Sequence, residues 1–323
     1  MPWLVKIFLI TLFKRISHHD ALRFGLSHTR VFHTNNQISA SISAGVHPED
    51  AMDFVITIAK KTKEEGGILD TFKPGFSLID QVDGVFQVEM QKALGGSASP
   101  GDYDNDLLMN RIGNGRLLIG LTDRNNFNIR KPEDAYVYVD KFRDINDICS
   151  ACILSSYIPF GTGPLTPSDD KNTAAQRAWE IVKEMERKGQ IKHGLTGEEV
   201  KVNGFDENDY DGEPQPSNEL RYLDGGLSNN FPQVDEKTLI VSPINGVFSN
   251  PFIAPSQSSD NNILPNIAIS DGIEIGVNSE NLVALYQMAR SSSPEVLYDK
   301  FRDGHDDAMA YLKDEQLLIV FRI

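Results

Sequence analysis

The residues best placed to do chemistry lie in Arg221-Tyr-Leu-Asp-Gly-Gly-Leu-Ser-Asn-Asn-Phe-Pro232. A strand-like Tyr222-Leu223 delivers one carboxylate, Asp224, onto Gly225 and Gly226. A carboxylate so placed can serve as a base toward a substrate that approaches over the glycines. Asp-Gly is also a common turn signal, so the same residues fit a plain turn. Cys149-x-x-Cys152 has the spacing of a redox or zinc pair. It sits inside the apolar run from Ile148 to Leu154 with no strand and tight turn ahead of it, and a single pair supplies half of a tetrahedral site. Packing as small apolar side chains is the expectation for both cysteines. Glu207-x-Asp209-x-Asp211-Gly212 has part of the acidic spacing of a calcium loop. Its first ligand is Glu, Glu219 falls one place late, and Pro214 and Pro216 prevent a clean exiting helix. Neither a metal nor an organic cofactor is expected.

These side chains need elements to hold them. His47-Pro-Glu-Asp50 reads as a helix start, and Ala51, Phe54, Val55, Ile58 and Ala59 follow at helical spacing until Gly66-Gly67. A second helix is predicted from Ser77 as cap through Val82 and Phe86 to Leu94, closing at Gly95-Gly96. Arg116 to Thr122 and Ala135 to Val139 read as strands, and Asp144 to Leu154 reads as a helix that ends before Pro159. Thr238 to Ser242 is a further strand, and Ser279 to Ala289 and Pro294 to Leu312 are further helices. The alternation of strands and helices predicts an α/β fold with a mainly parallel sheet. Between about 165 and 219 the composition changes. A charged helix from Thr173 to Lys188 leads into an acidic stretch from Glu198 to Glu219 whose one basic residue is Lys201. The whole span from about 165 to 219 reads as an acidic, inserted surface segment, partly disordered.

The chain of 323 residues, 40% hydrophobic, is long enough for one large α/β domain or two smaller ones. Its 31 Lys and Arg against 46 Asp and Glu give a formal charge of −15, which opposes nucleic-acid binding and gives no general attraction to anionic membranes. Residues Trp3 to Phe13 form an apolar run broken by Lys6 and Thr11 and ended by Lys14-Arg15. The run is too short to span a bilayer and lacks the basic start and small-residue cleavage site of a secretory signal. It fits either a buried element or an interfacial segment with Lys14 and Arg15 at lipid headgroups.

From about Ser43 to Leu312 the chain resembles the patatin-like phospholipase family, most closely its adipose triglyceride lipase branch. The matching residues are Gly45-Val46-x-Pro48-Glu49-Asp50, Lys73 to Leu78, Gly115 to Thr122, Cys149 to Pro159, Arg221 to Gly226, Ile240 to Pro243 and Asn281 to Leu285. The resemblance implies a patatin-like three-layer sandwich spanning 37–323 behind a divergent segment at 1–36. It further implies hydrolysis of glycerolipid acyl esters, triacylglycerol or phospholipid, in the cytoplasm or at a lipid-droplet or membrane surface. In that family a serine in a G-x-S-x-G elbow attacks the ester, an aspartate followed by two small residues is the base, and a glycine-rich loop stabilises the oxyanion. Asp224, Gly225 and Gly226 match the aspartate motif.

The other half of the machinery does not match. Counting back from Gly45, the elbow falls on Val31-Phe-His-Thr-Asn35, with His33 at the nucleophile position. The sole glycine before Gly45 is Gly25, so the oxyanion loop is missing as well. The first strand-turn-helix unit is replaced by unrelated sequence, through divergence or through a skipped exon. Ser41-Ile-Ser-Ala-Gly45 makes Ser43 a shifted nucleophile candidate, at the loss of about three helical turns. Its other reading is a helix residue. Thr34 would need a base and hydrogen-bond donors around it, and His33 beside Asp224 would be a base pair without a nucleophile. Two functions stay open: a hydrolase of this type, or a catalytically inactive lipid-binding or regulatory protein on the same scaffold.

Overall fold

A computed structural model describes residues 40–66 apart from Ile42, 77–96, 102–112, 115–158, 162–163, 173–200, 220–229, 240–255 apart from Pro243 and Asn250, 262–270, 273–283 and 293–314. The N-terminal apolar run, His33, Thr34, the acidic loop at 207–212 and most of the stretch after Val200 lie outside the described residues. The described residues fall into two compact units, one drawn from 46–70 and 231–323, the other from 30–45 and 71–230.

Along the chain the helices are α1 (Pro48–Gly66), α2 (Leu78–Ala93), α3 (Asn105–Ile112), α4 (Ile145–Leu154), α5 (Ala174–Arg187) and α6 (Pro294–Asp314). The strands are β1 (Ile119–Asp123), β2 (Tyr136–Val139), β3 (Ile191–His193), β4 (Tyr222–Asp224), β5 (Ile240–Val241), β6 (Gly246–Phe248), β7 (Phe252–Ile253), β8 (Asn262–Ser270) and β9 (Ile273–Asn278). Side-chain caps set several helix starts. Ser77 accepts from Asp80 N, Asp144 from Asn146 N and Asp147 N, and Thr173 from Gln176 N. Each satisfies backbone donors that the first turn leaves without an intrahelical partner.

In the unit built from 71–230, four strands form one sheet in the order β3-β2-β1-β4. β1–β2, β1–β4 and β2–β3 are all antiparallel. The predicted mainly parallel sheet is therefore corrected for this, the largest described sheet. β1 returns to β2 through residues 124–135, which hold two short 3-10 turns and no α-helix. A parallel neighbour would need a crossover that carries the chain back to the start of β1, usually through a helix, and this link holds none. Helix α4 lies against β1 and β4, and α2 and α5 pack against α4. The core between them includes Phe86, Met90, Leu121, Val137, Val139, Ile148, Cys152, Leu154, Val182 and Tyr222. Cys149 and Cys152 are both free and buried in α4, and burial pushes the Cys149 thiol well above its ordinary pKa. Residues 173–200, expected at the surface, are built into this core through Ala178, Trp179, Val182 and Met185 of α5.

In the other unit, α1 buries Ala51, Met52, Phe54, Val55, Ile58 and Ala59, and α6 packs against it. A three-stranded antiparallel sheet has the order β6-β9-β8, and β5 and β7 form a two-residue parallel pair. Asn245, Asn278 and Asn281 are buried together beside β9. The Asn281 side-chain amide donates to Asn245 O (2.9 Å), Asn245 Oδ1 (2.9 Å) and Gly276 O (2.6 Å), and its Oδ1 accepts from Asn245 N (2.9 Å). Asn278 Nδ2 also donates to Asn245 Oδ1 (2.8 Å). Among the described residues no helix is long and apolar enough to cross a membrane.

Candidate active site

Asp224 ends β4 and opens a 3-10 turn, Gly225–Leu227. It is 2% exposed. Its Oδ1 accepts from Gly226 N at 2.7 Å, the bond an N-cap aspartate makes to the turn it begins. Two further bonds fix its backbone. Asp224 N donates to Tyr157 O (3.1 Å), and the Thr122 hydroxyl donates to Asp224 O (2.6 Å). The Ser228 hydroxyl lies 2.8 Å from that of Thr122 and donates to Gly225 O (3.2 Å). Ser228 N and Asn229 N also converge on Gly225 O, at 3.2 and 3.0 Å. The glycine pair is thus a closed turn, with Gly225 buried and the carboxylate at its mouth.

The residues that hold this turn are distant in sequence. Ser155 donates to Gly120 O, and Thr162 bridges Ile158 N and Ser156 O, which pins the bend carrying Tyr157. The Tyr157 ring packs where a Cβ on Gly163 would stand. Burial, with Asp80 nearby, pushes the Tyr157 hydroxyl up to about 12, so it stays neutral over the physiological range. At the opposite end of β4, Arg221 forms a two-pronged pair with Asp123, Nε to Oδ1 at 3.1 Å and Nη2 to Oδ2 at 2.8 Å, and its Nη1 bonds Glu186. This lock ties β1, β4 and α5 together. Burial raises the pKa of Glu186 above its ordinary value, against the lowering effect of Arg221. Burial works against the Arg221 charge too, but its bond to Asp123 and the neighbouring anions hold it firmly protonated. The guanidinium also lies 5.3 Å from the centre of the Tyr222 ring, whose other neighbour, Trp179, packs edge-on at 5.7 Å.

Asp224, Gly225 and Gly226 therefore sit together on one strand end. Ser43 lies elsewhere in the chain, half-buried in the helical segment at 40–44, and is not among the described partners of Asp224. The Arg111 guanidinium closes the end of that segment by bonding Ala44 O, and it reaches Ala93 O at 3.2 Å. Among the described residues the hydroxyls nearest to Asp224 in the hydrogen-bond network, Thr122 and Ser228, are buried and engaged with backbone carbonyls. Sequence reading missed Thr122, Tyr157 and the Asp123–Arg221–Glu186 lock. The one local hint was Arg221, placed three residues before the motif aspartate and inside an apolar approach.

No protein-family model matches the chain, and no solved structure matches it. Over 100 residues, 31% of its length, it is 33% identical to patatin-like phospholipase domain-containing protein 2 of Rattus norvegicus. To the protein of that description from Mus musculus it is 32% identical over 100 residues. Those matches span 20% and 19% of the two relatives' own lengths, so the likeness reaches about a fifth of each.

Proposed function

We propose that this chain carries the scaffold of a patatin-like lipid acyl hydrolase, a type that acts on triacylglycerol or phospholipid, and that it keeps the aspartate half of the Ser-Asp dyad while lacking the nucleophile elbow. The partial identity to patatin-like phospholipase domain-containing protein 2 carries the reading. The setting of Asp224 supports it: a buried carboxylate held at a strand end by its own turn, with its backbone fixed on two sides. In a working dyad the aspartate takes the proton of a serine hydroxyl as that oxygen bonds to the acyl carbon. The alcohol leaves, and water then releases the fatty acid. Backbone N–H groups facing the developing oxyanion contribute a few kcal/mol, on the order of 3, to such a step. With neither elbow nor oxyanion loop in the sequence, the expected turnover of this chain is near zero.

The second reading, an inactive lipid-binding or regulatory protein on the same scaffold, is favoured by that gap. One experiment separates the two. The purified chain is assayed on a short-chain ester and on emulsified triacylglycerol, beside Asp224→Asn and Ser43→Ala. A rate at the buffer blank for all three fits the scaffold without its nucleophile. Turnover lost in both variants would restore a dyad with Ser43. The genomic sequence upstream of the Gln37 codon supplies an independent check, since an in-frame G-x-S-x-G exon there would return the missing half.

A further inference from the structure

The link between β1 and β2 is locally basic in an acidic chain. Residues 124–131, Arg-Asn-Asn-Phe-Asn-Ile-Arg-Lys, carry three cations and no acid and are exposed throughout, in a protein with formal charge −15. At their tip stand Phe127, 42% exposed, and Ile129, 86% exposed, the most exposed large hydrophobic side chain among the described residues. The exposure is built by ordered turns. Asp123 accepts from Asn125 N (3.1 Å) and Asn126 Nδ2 (2.9 Å). Asn128 accepts from Arg130 N through its side chain (2.9 Å) and from Lys131 N through its carbonyl (2.9 Å). Asx turns of this kind fix the backbone so that the side chains between them cannot fold back onto the core.

A second apolar tip emerges beside it. Gly194 N donates to Tyr136 O (2.8 Å) at the start of β2, which brings the turn after β3 next to the end of the link, and Leu195 in that turn is 69% exposed. Acids flank both tips: Asp123, buried and paired with Arg221, precedes the link, the exposed Glu133 and Asp134 follow Lys131, and Glu198 and Glu199 follow Leu195.

We propose that this end of the sheet docks on an anionic phospholipid surface, with Phe127 and Ile129 at the headgroup–acyl boundary and Arg124, Arg130 and Lys131 at the headgroup phosphates. Exposed apolar side chains flanked by cations on an ordered turn fit that boundary, which is apolar beneath and negative above. A protein partner of ordinary size would bury about 800 Å² of this chain, much more than two narrow tips offer. The proposal stands apart from the hydrolase reading. Leu121 pairs with Asp224 and Asp123 with Tyr222, so the link continues from the end of β1 that points away from Asp224.

The test is flotation of the full chain with phosphatidylcholine vesicles, with and without phosphatidylserine, at low and high salt. Wild type should float with the phosphatidylserine vesicles at low salt and lose most of that binding at high salt. Phe127→Ser with Ile129→Ser should lower the partition coefficient at least about tenfold. Arg130→Gln with Lys131→Gln should lower it about twentyfold, since each cation near an anionic surface is worth roughly fivefold. Ile129→Trp fluorescence should be quenched by brominated acyl chains. Tyr298→Ser, an exposed control in the other unit, should bind as wild type does. Absence of wild-type flotation, or loop variants that float unchanged because the N-terminal run carries the binding, would overturn the proposal. So would a wild type that ignores vesicles while the loop variants lose a soluble protein partner.

Discussion

Replacing Arg221 by Met removes the cation from the lock between β1, β4 and α5 and leaves two carboxylates facing each other. The Asp123 side chain is 0% exposed, that of Glu186 6% and that of Arg221 16%, so water cannot replace the lost partner without opening the strand pair. Removing one member of such a buried pair costs about 3–5 kcal/mol, against at most about 1 kcal/mol for an exposed pair. The pH dependence identifies the cause. Glu186 already has a raised folded-state pKa because of burial, and Arg221 opposes that rise. A carboxylate whose folded pKa lies above its unfolded value favours folding fully below the unfolded value, and that contribution is lost as pH rises through the folded one. Without Arg221 the rise is larger, so the cost of Arg221→Met should be greatest near pH 7 and shrink toward about pH 4 as Glu186 takes up its proton. Glu186→Gln should cost much less and flatten the profile. Urea unfolding followed by Trp179 fluorescence, in a Trp3→Phe background, reads the event locally, since Trp179 packs on Tyr222 of β4. A cost below about 1 kcal/mol, or one that grows as pH falls, would refute the reasoning.

Asn281→Ala should destabilise the β6-β9-β8 sheet by about 2–4 kcal/mol, because it strands Asn245 N and takes a donor from the Asn245 and Gly276 carbonyls; faster amide exchange of β9 measures it. Gly45→Ala should cost about 1–3 kcal/mol, since φ there is +97° and a Cβ would run into the Arg111 guanidinium. Pairing Gly45→Ala with Arg111→Ala removes the clash and leaves the backbone strain, so melting temperatures of the two singles and the double apportion the effect. Asp224→Ala should cost about 1 kcal/mol through loss of the cap on the turn, whereas Asp224→Asn, which keeps an acceptor, should melt close to wild type.

Local signals placed most of the elements. Ser77, Asp144 and Thr173 start helices where their side chains cap them, because a cap is a bond across two or three residues and is written in the sequence beside it. Strand direction is not written that way. β1 is buried at all five positions, as a parallel central strand would be, and its antiparallel pairing with β2 follows from the helix-free link at 124–135. β8 was missed because Pro265 lies inside it, and proline argues against a central strand. It stands at the sheet edge, in the order β6-β9-β8, where a missing donor breaks no pairing on its outer side. At the candidate site, Asp224 was legible from its glycines, but the Thr122 hydroxyl that fixes it is 102 residues away in sequence. No local pattern reports such a contact.

The two Asp224 variants bear on what the motif means in this chain. An aspartate that begins a 3-10 turn and accepts the amide of the second glycine is stabilising whether or not a nucleophile stands near it. The turn also places the Gly225 carbonyl to accept three donors from Ser228 and Asn229, and it gives Thr122 its acceptor, so the strand end depends on its geometry. A scaffold that had lost its nucleophile would therefore still gain stability from a capping side chain at position 224, so the aspartate marks a turn as well as a base. The separation comes from Asn. Asp224→Asn keeps the cap and removes the base, so a protein that folds as wild type does and changes no reaction uses Asp224 as a structural residue. One that folds equally well and loses a measurable esterase rate uses it as a base, and its hydroxyl partner is then to be sought beside the turn that Thr122, Tyr157 and Ser228 hold in place.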